Sequence, residues 1–92
     1  MAYQPTFTDN NRRKLGGKTL SGVGTFTIPE GTRWFSVLNS SATGNVTIVT
    51  NTGDNITLAP LQSFAVSSED GGFEAIDVTT VSGGGAEIAY VV

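Results

Sequence analysis

Three short runs between residues 45 and 66 alternate apolar and polar side chains, and this alternation limits the fold more than any other feature of the chain. Their apolar positions are Val46 and Ile48, Ile56 and Leu58, and Phe64 and Val66. A period of two is typical of β-strands with one buried face. Residues 50–54 contain Gly53 with Asn and Asp neighbours, which tolerate the positive φ of a tight reversal. The sequence therefore predicts two successive hairpins, whose shared apolar face needs a second layer of strands.

The rest of the body shows the same kind of pattern. Its alternating apolar positions are Phe26 and Ile28, Phe73, Ile76 and Val78, and Ile88, Tyr90 and Val92. The imperfect spacing after Phe73 predicts a bulge near Ala75. No stretch has the apolar periodicity of a capped helix. We predict an all-β domain over residues 20–92 with seven or eight strands, a small antiparallel β-sandwich or a jelly-roll-like domain, with a barrel as the alternative.

One predicted strand has large side chains on both of its faces. In residues 33–38, Phe35 and Val37 fall on one face, whereas Trp34 and Leu38 fall on the other. A thin sandwich of 92 residues cannot bury both faces in one core. One face of this strand is therefore expected to contact another molecule.

Trp34 has three interpretations from sequence. It can be a core residue, since tryptophan is highly buried on average. It can anchor a subunit interface together with Arg33, because Trp and Arg are enriched at interfaces. It can also form a sugar-stacking platform, which requires a second aromatic residue such as Tyr90 on the same face. The predicted interface residues are Arg33 and Trp34.

Residues 1–19 show neither strand nor helix periodicity and differ from the body in charge. The first eighteen residues contain four basic residues and one acidic residue, for a net charge of +3, whereas the remainder contains one basic and seven acidic residues, for a net charge of −6. We predict an extended basic arm that binds an acidic partner, which can be another copy of the body; a disordered tail is the alternative. The predicted partner-binding residues of the arm are Tyr3, Phe7, Arg12, Arg13, Lys14, Leu15 and Lys18.

The side chains needed for most kinds of catalysis are missing. The chain contains no Cys and no His, which excludes disulfides and the usual zinc or haem ligands. Two pairs of carboxylates, Glu69 with Asp70 and Glu74 with Asp77, are candidates for acid–base chemistry, and three of these residues are candidates for calcium binding. They lie in or beside a polar turn of a body too small for a deep cleft. We therefore expect no catalytic residues, no cofactor and no metal.

Two further partner classes are not expected. A nucleic-acid role is suggested by the basic residues 12–14 and the nearby Tyr3 and Phe7, but an acidic body repels phosphates. The sequence has neither a secretory apolar region nor an apolar run long enough to span a bilayer. We expect synthesis in a cytoplasm and no membrane or nucleic-acid partner.

Three segments together resemble a known class of proteins. They are Trp-Phe-Ser-Val-Leu-Asn at 34–39, the run from Asn-Val-Thr-Ile-Val-Thr to Gln-Ser-Phe at 45–64, and Ile-Ala-Tyr-Val-Val at 88–92. Over residues 20–92 this rhythm of strands and turns resembles the small β-rich structural proteins of tailed bacteriophages. The resemblance implies an arm followed by a sandwich, assembly as a trimer around a local symmetry axis, and a place in the virion.

The resemblance sets the functional prediction. It implies a capsid decoration or cement protein, with a spike or fibre base, or a glycan-binding attachment module, as alternatives. We expect a non-enzymatic virion structural protein that is made in the host cytoplasm, forms homo-oligomers and docks on the major capsid protein or other virion proteins through its arm. Residues 61–62 lack the glycine usual in that turn, so a different loop shape is expected there.

Overall fold

Eight β-strands form the part of the chain that the computed structural model describes, which is residues 14–68 and 71–92. The strands are β1 (Leu15–Ser21), β2 (Gly24–Ile28), β3 (Trp34–Asn39), β4 (Val46–Val49), β5 (Asn55–Leu58), β6 (Ser63–Ser67), β7 (Ile76–Thr80) and β8 (Gly85–Val91). Within these residues, no helix has the length and hydrophobicity needed to cross a membrane.

The strands form two four-stranded antiparallel sheets. Sheet A has the order β1-β8-β3-β6, and sheet B has the order β2-β7-β4-β5. The pairing is nested, because β4 pairs with β5, β3 with β6, β2 with β7 and β1 with β8. This is the arrangement of a jelly roll, in which a long folded hairpin is rolled into two packed sheets. The predicted all-β, jelly-roll-like sandwich is confirmed.

The core lies between the two sheets and follows the alternation seen in the sequence. Its most deeply buried apolar side chains are Ile28, Phe35, Val37, Val46, Ile48 and Val78. In β3 the buried apolar positions are Phe35 and Val37, whereas Leu38 is 40% exposed. The two-faced character predicted for this strand is confirmed, and Trp34 is on the outer face.

The second predicted hairpin is wrong. Strands β4 and β5 do form a hairpin, but β5 belongs to sheet B and β6 to sheet A, so residues 59–62 cross from one sheet to the other. Gln62 closes this crossing, because its backbone N–H donates to Ala59 O at 3.0 Å and its Oε1 accepts from Ala59 N at 2.9 Å. Alternation reports which side chains face the core, but it carries no information about which strand lies alongside.

The crossing contains the one described non-glycine residue with positive φ, Leu61 at 66°. Its side chain is 66% exposed, so it contributes little packing. A left-handed conformation costs a β-carbon-bearing residue roughly 1–2 kcal/mol. We expect Leu61→Gly to raise the free energy of unfolding by about 0.5–1 kcal/mol, after the larger entropy loss of glycine is subtracted. Urea titration of both proteins checks this, and a lower denaturation midpoint for the variant would contradict it.

The sandwich begins earlier than predicted, at Leu15 instead of residue 20. Strand β1 pairs with β8 from Leu15 to Ser21, and Lys14 exchanges backbone hydrogen bonds of 3.2 and 2.9 Å with Val92. The predicted arm therefore loses residues 15–19 to sheet A. Strand β1 lacks apolar alternation because the ring of Tyr90 covers Gly16, where an added β-carbon would lie 2.3 Å from a ring carbon. The side chain that covers this position therefore comes from β8 and not from β1 itself.

Strand β7 also differs from its predicted extent. It begins at Ile76, and Phe73 instead forms an isolated antiparallel bridge with Thr32. The irregular spacing near Ala75 therefore marks the start of the strand, and the predicted bulge is wrong.

Candidate functional site

The outer face of sheet A carries a row of apolar side chains at one end. Trp34 in β3 is opposite Val91 in β8, and Val91 is opposite Leu15 in β1. Leu15 is 77% exposed, and Trp34 and Val91 are partly exposed. Antiparallel strands bring these residues together although they are distant in the chain, so this row could not be recognised from sequence without the register of the strands.

Small residues form the next row of the same face. Gly17, Ala89, Ser36 and Ala65 lie side by side across the four strands. Leu38 stands on the far side of this row, between Glu87 and Ser63. We call the surface formed by these two rows and Leu38 the outer apolar face. Its flat strip of small residues allows a second sheet or a chain segment to approach closely.

The two predicted interface residues lie at the edge of this face. The indole of Trp34 is on the outer side of β3, so the interpretation of Trp34 as a core residue is wrong. Arg33 precedes the strand, where its N–H donates to Val91 O at 2.7 Å and its carbonyl accepts from Ser68 N at 2.7 Å. Arg33 is partly exposed. The structure therefore places both residues where another molecule can reach them.

The predicted sugar-stacking platform does not form. Tyr90 is opposite Phe35 in the sheet register and faces the core side, whereas Trp34 faces outward. The Tyr90 ring packs against Phe26 with centroids 5.8 Å apart. Because successive residues of a strand point to opposite faces, the position of Trp34 opposite Val91 excludes a shared face with Tyr90.

A second feature, absent from the sequence-based predictions, lies between the sheets. Strands β5 and β6 are the last strands of their sheets on the same side of the sandwich, and the gap between the sheets there contains a cavity of about 200 Å³. We call this cavity the β5–β6 slot. Its lining includes Phe35, Ile48, Ile56, Phe64, Val66 and Phe73. Four of these side chains, Ile56, Phe64, Val66 and Phe73, are only partly buried.

Aromatic rings form one wall of the slot. Phe35 packs against Phe64 with centroids 6.2 Å apart, and against Phe73 edge to face at 5.5 Å. Edge-to-face and tilted contacts are the favoured geometries of aromatic pairs. The alternation of β6 predicted that Phe64 and Val66 share a face, but only the position of β6 at the sheet edge leaves them partly open.

The rim of the slot is polar and acidic. Asn51 lines the slot, and its Nδ2 donates to Glu74 Oε1 at 2.6 Å, which joins the β4–β5 turn to the segment before β7. Asp54 lies in the same turn, where its carbonyl accepts from the N–H and the hydroxyl of Thr50. An apolar interior with the Glu74 carboxylate beside its opening suits a partner that combines apolar and basic groups.

The candidate carboxylate pairs are not assembled into a metal site within residues 14–68 and 71–92. No group of three or more potential ligands is found there. Asp77 lies on the outer face of sheet B and accepts a 2.7 Å hydrogen bond from Thr27 Oγ1, whereas Glu74 is held by Asn51 at the slot rim. Glu69 and Asp70 lie outside the described residues.

The predicted arm residues divide into two groups. Tyr3, Phe7, Arg12 and Arg13 lie outside the described residues. Lys14 and Lys18 are exposed at the β1 edge of sheet A, and Leu15 belongs to the outer apolar face. The basic charge therefore continues from the arm into the first strand.

Comparisons with known proteins identify structures with a similar fold but no protein related in sequence. No protein-family model and no curated protein matches this chain. A de novo designed double-stranded β-helix is similar in structure, with 14% identity over 84% of this chain and 95% of its own and a TM-score of 0.56.

Two natural proteins give similar values. A protein of unknown function from Rhizobium leguminosarum is 11% identical over 91% of this chain and 73% of its own, with a TM-score of 0.57. A cupin domain from Bordetella pertussis is 16% identical over 91% of this chain and 83% of its own, with a TM-score of 0.53. Identities this low concern the fold alone. The chain shares the two-sheet, double-stranded β-helix architecture of these structures, which is found in proteins with unrelated functions.

Proposed function

We propose that this protein is a non-enzymatic structural component of a bacteriophage virion, a capsid decoration or cement protein. In this proposal it forms homo-oligomers, with a trimer favoured, and docks on the major capsid protein through its basic N-terminal segment. The observation that carries the proposal is the outer apolar face, where Leu15, Trp34 and Val91 form an exposed row beside a flat strip of small residues.

The outer apolar face supports self-association on energetic grounds. A domain of this size buries a smaller fraction of its surface on folding than a larger domain does, and burial of a further apolar face adds about 25 cal/mol per Å². Trp34 with an adjacent Arg33 is the composition typical of an interface hot spot.

The charge distribution supports docking on a larger particle. Residues 19–92 carry a net charge of −6 and residues 1–18 a net charge of +3, so the basic N-terminal part of one molecule is attracted to the acidic body of a neighbouring molecule. A protein that binds only the assembled lattice stabilises that lattice through mass action. This is the physical basis of a cementing role, and it requires no catalytic group.

Self-association predicts a large effect at Trp34. We expect Trp34→Ala to raise the dissociation constant of the oligomer by about 30-fold or more, which corresponds to the loss of a hot-spot side chain. Analytical ultracentrifugation over a range of concentrations measures this. Thr47→Ala, on the outer face of sheet B, is the matched control and should leave the constant unchanged. A wild-type protein that stays monomeric at all concentrations would contradict the proposal.

Deletion of residues 1–13 tests docking on the virion. The deletion ends at residue 13 because a longer one would reach the residues of β1 that pair with β8. We expect purified particles to retain fewer copies of the truncated protein, by about tenfold, since Arg12 and Arg13 are lost together with the aromatic residues Tyr3 and Phe7. Quantitative mass spectrometry of the particles counts the copies. Full retention would contradict a docking role for the segment.

A spike or fibre base is the alternative within the same class. A decoration protein occupies every equivalent position of the lattice, whereas a spike or fibre base occupies a few symmetry axes. The copy number per particle from the same experiment therefore separates the two. We do not propose a glycan-binding module, because the two residues of the predicted platform, Trp34 and Tyr90, lie on opposite faces of sheet A.

A further inference from the structure

The β5–β6 slot is an apolar site open at the side of the sandwich. Its volume is about 200 Å³ and its walls include Phe35, Phe64 and Val66 from sheet A and Ile56 from sheet B. An apolar cavity of about 150 Å³ is large enough to bind a benzene molecule. One phenyl ring therefore fits the slot in volume and in polarity.

We infer that the β5–β6 slot is the docking site for the N-terminal segment of a second copy of this chain, with the ring of Phe7 inserted between the sheets. Phe7 is an aromatic residue without a polar atom, and it lies seven residues before Lys14, where the described structure begins. Seven residues span at most about 23 Å, enough to reach across the edge of an adjacent molecule.

Charge complementarity supports this occupant over a neutral one. Arg12 and Arg13 follow Phe7 by five and six residues, and Glu74 accepts a hydrogen bond from Asn51, which lines the slot. With Phe7 in the slot, the two arginines are close enough along the chain to pair with the Glu74 carboxylate at the rim. Arginine pairs with carboxylates through two parallel hydrogen bonds, so the basic residues add both attraction and orientation.

The position of the slot favours a second copy over the same chain. The Lys14 hydrogen bonds to Val92 keep Lys14, to which the N-terminal segment is attached, at the β1 edge of sheet A. The slot lies at the β6 edge, on the opposite side of the four-stranded sheet. Side-by-side copies bring the β1 edge of one molecule next to the β6 edge of the other.

The contact is heterologous, because an edge of one copy meets a different edge of the next. Heterologous contacts form a ring when the rotation between copies closes. Each copy then both donates its segment and accepts one. The inference rests on the proposed function only for self-association, and it specifies how the copies of a trimer would be linked.

Disulfide trapping tests the inference cleanly because the chain has no cysteine. The Thr8→Cys protein, which keeps the Phe7 ring, is mixed with the Ile56→Cys protein, and the pair is unfolded, refolded together and oxidised. A disulfide between these two proteins can only join separate chains. The matched control replaces Ile56→Cys with Thr57→Cys, on the adjacent residue that faces away from the slot. Mass spectrometry without reductant measures the mixed dimer.

We expect the mixed dimer with Ile56→Cys to exceed the control by about tenfold or more, since docking raises the local concentration of the two thiols. A yield equal to that of the control would overturn the inference. If Ile56→Cys does not fold, Val66→Cys on the other wall of the slot takes its place. In the double variant Thr8→Cys with Ile56→Cys, a disulfide formed mainly within single chains would overturn the assignment to a second copy.

The two proposals fail in different ways. Oligomers that form without the mixed disulfide refute the slot assignment and leave the proposed function standing. A mixed disulfide in a protein that does not bind particles refutes the virion role and leaves the slot assignment standing.

Discussion

Replacing Asn39 by alanine is expected to lower the free energy of unfolding by about 3–5 kcal/mol. The Asn39 amide is fully buried, and its Nδ2 donates to Gly44 O at 2.8 Å and Leu58 O at 3.0 Å. Its Oδ1 accepts from Ser41 N at 2.9 Å. Alanine removes three hydrogen bonds, and each buried backbone group left without a partner costs about 1–3 kcal/mol.

The effect is large because Asn39 joins the two sheets. Asn39 belongs to β3 in sheet A, and Leu58 belongs to β5 in sheet B. The whole domain has a stability on the order of 5–15 kcal/mol, so the substitution removes a substantial part of it. Urea unfolding measured by tryptophan fluorescence gives the difference. The control is Asn45→Ala in the same loop, an exposed residue for which we expect a change below about 0.5 kcal/mol. Equal losses for the two variants would contradict this role.

Phe35→Ala should have a comparable effect through a different cause. Phe35 is 2% exposed and packs against both Phe64 and Phe73. Truncation of a buried phenylalanine costs about 3–5 kcal/mol, since apolar burial is lost and a cavity remains. Here the new space joins the β5–β6 slot, so water can enter and collapse of the walls is limited.

Trp34→Ala is the matched comparison for Phe35→Ala, because the two aromatic residues are adjacent in β3 and face opposite sides. We expect the loss for Phe35→Ala to be independent of protein concentration. The loss for Trp34→Ala should grow with concentration, because association stabilises only the protein that can still associate. Thermal unfolding at several concentrations separates the two patterns. Identical concentration dependence for both variants would mean that the outer apolar face takes no part in association.

The alternation of single strands was readable from the sequence. The buried positions of β3, β4 and β7 agree with the period-two pattern, and the β4–β5 hairpin agrees with the turn chemistry around Gly53. These features depend on residues that are close in the sequence, so a local sequence pattern is enough to predict them. The same pattern placed Trp34 and Phe35 on opposite faces of β3, but it left open whether the Trp34 face was buried.

Other features depend on strands that are distant in the chain. The placement of β6 beside β3, the pairing of β1 with β8, and the opposite faces of Trp34 and Tyr90 required the register between strands. The burial of Gly16 under the Tyr90 ring explains why β1 carried no signal of its own. The slot is a property of two sheet edges together, and no single segment encodes it.

The sequence by itself determined that this chain folds as β-strands with one apolar side, because alternation sets which side chains leave water. It also determined the separation of basic and acidic charge along the chain, which needs no folding to be seen. The tertiary structure decided which strands lie side by side, and hence which apolar groups remain exposed on sheet A and which surround the β5–β6 slot. Burial free energy depends on the area removed from water and is nearly the same for several strand pairings, so the choice among pairings comes from the packing of the whole domain.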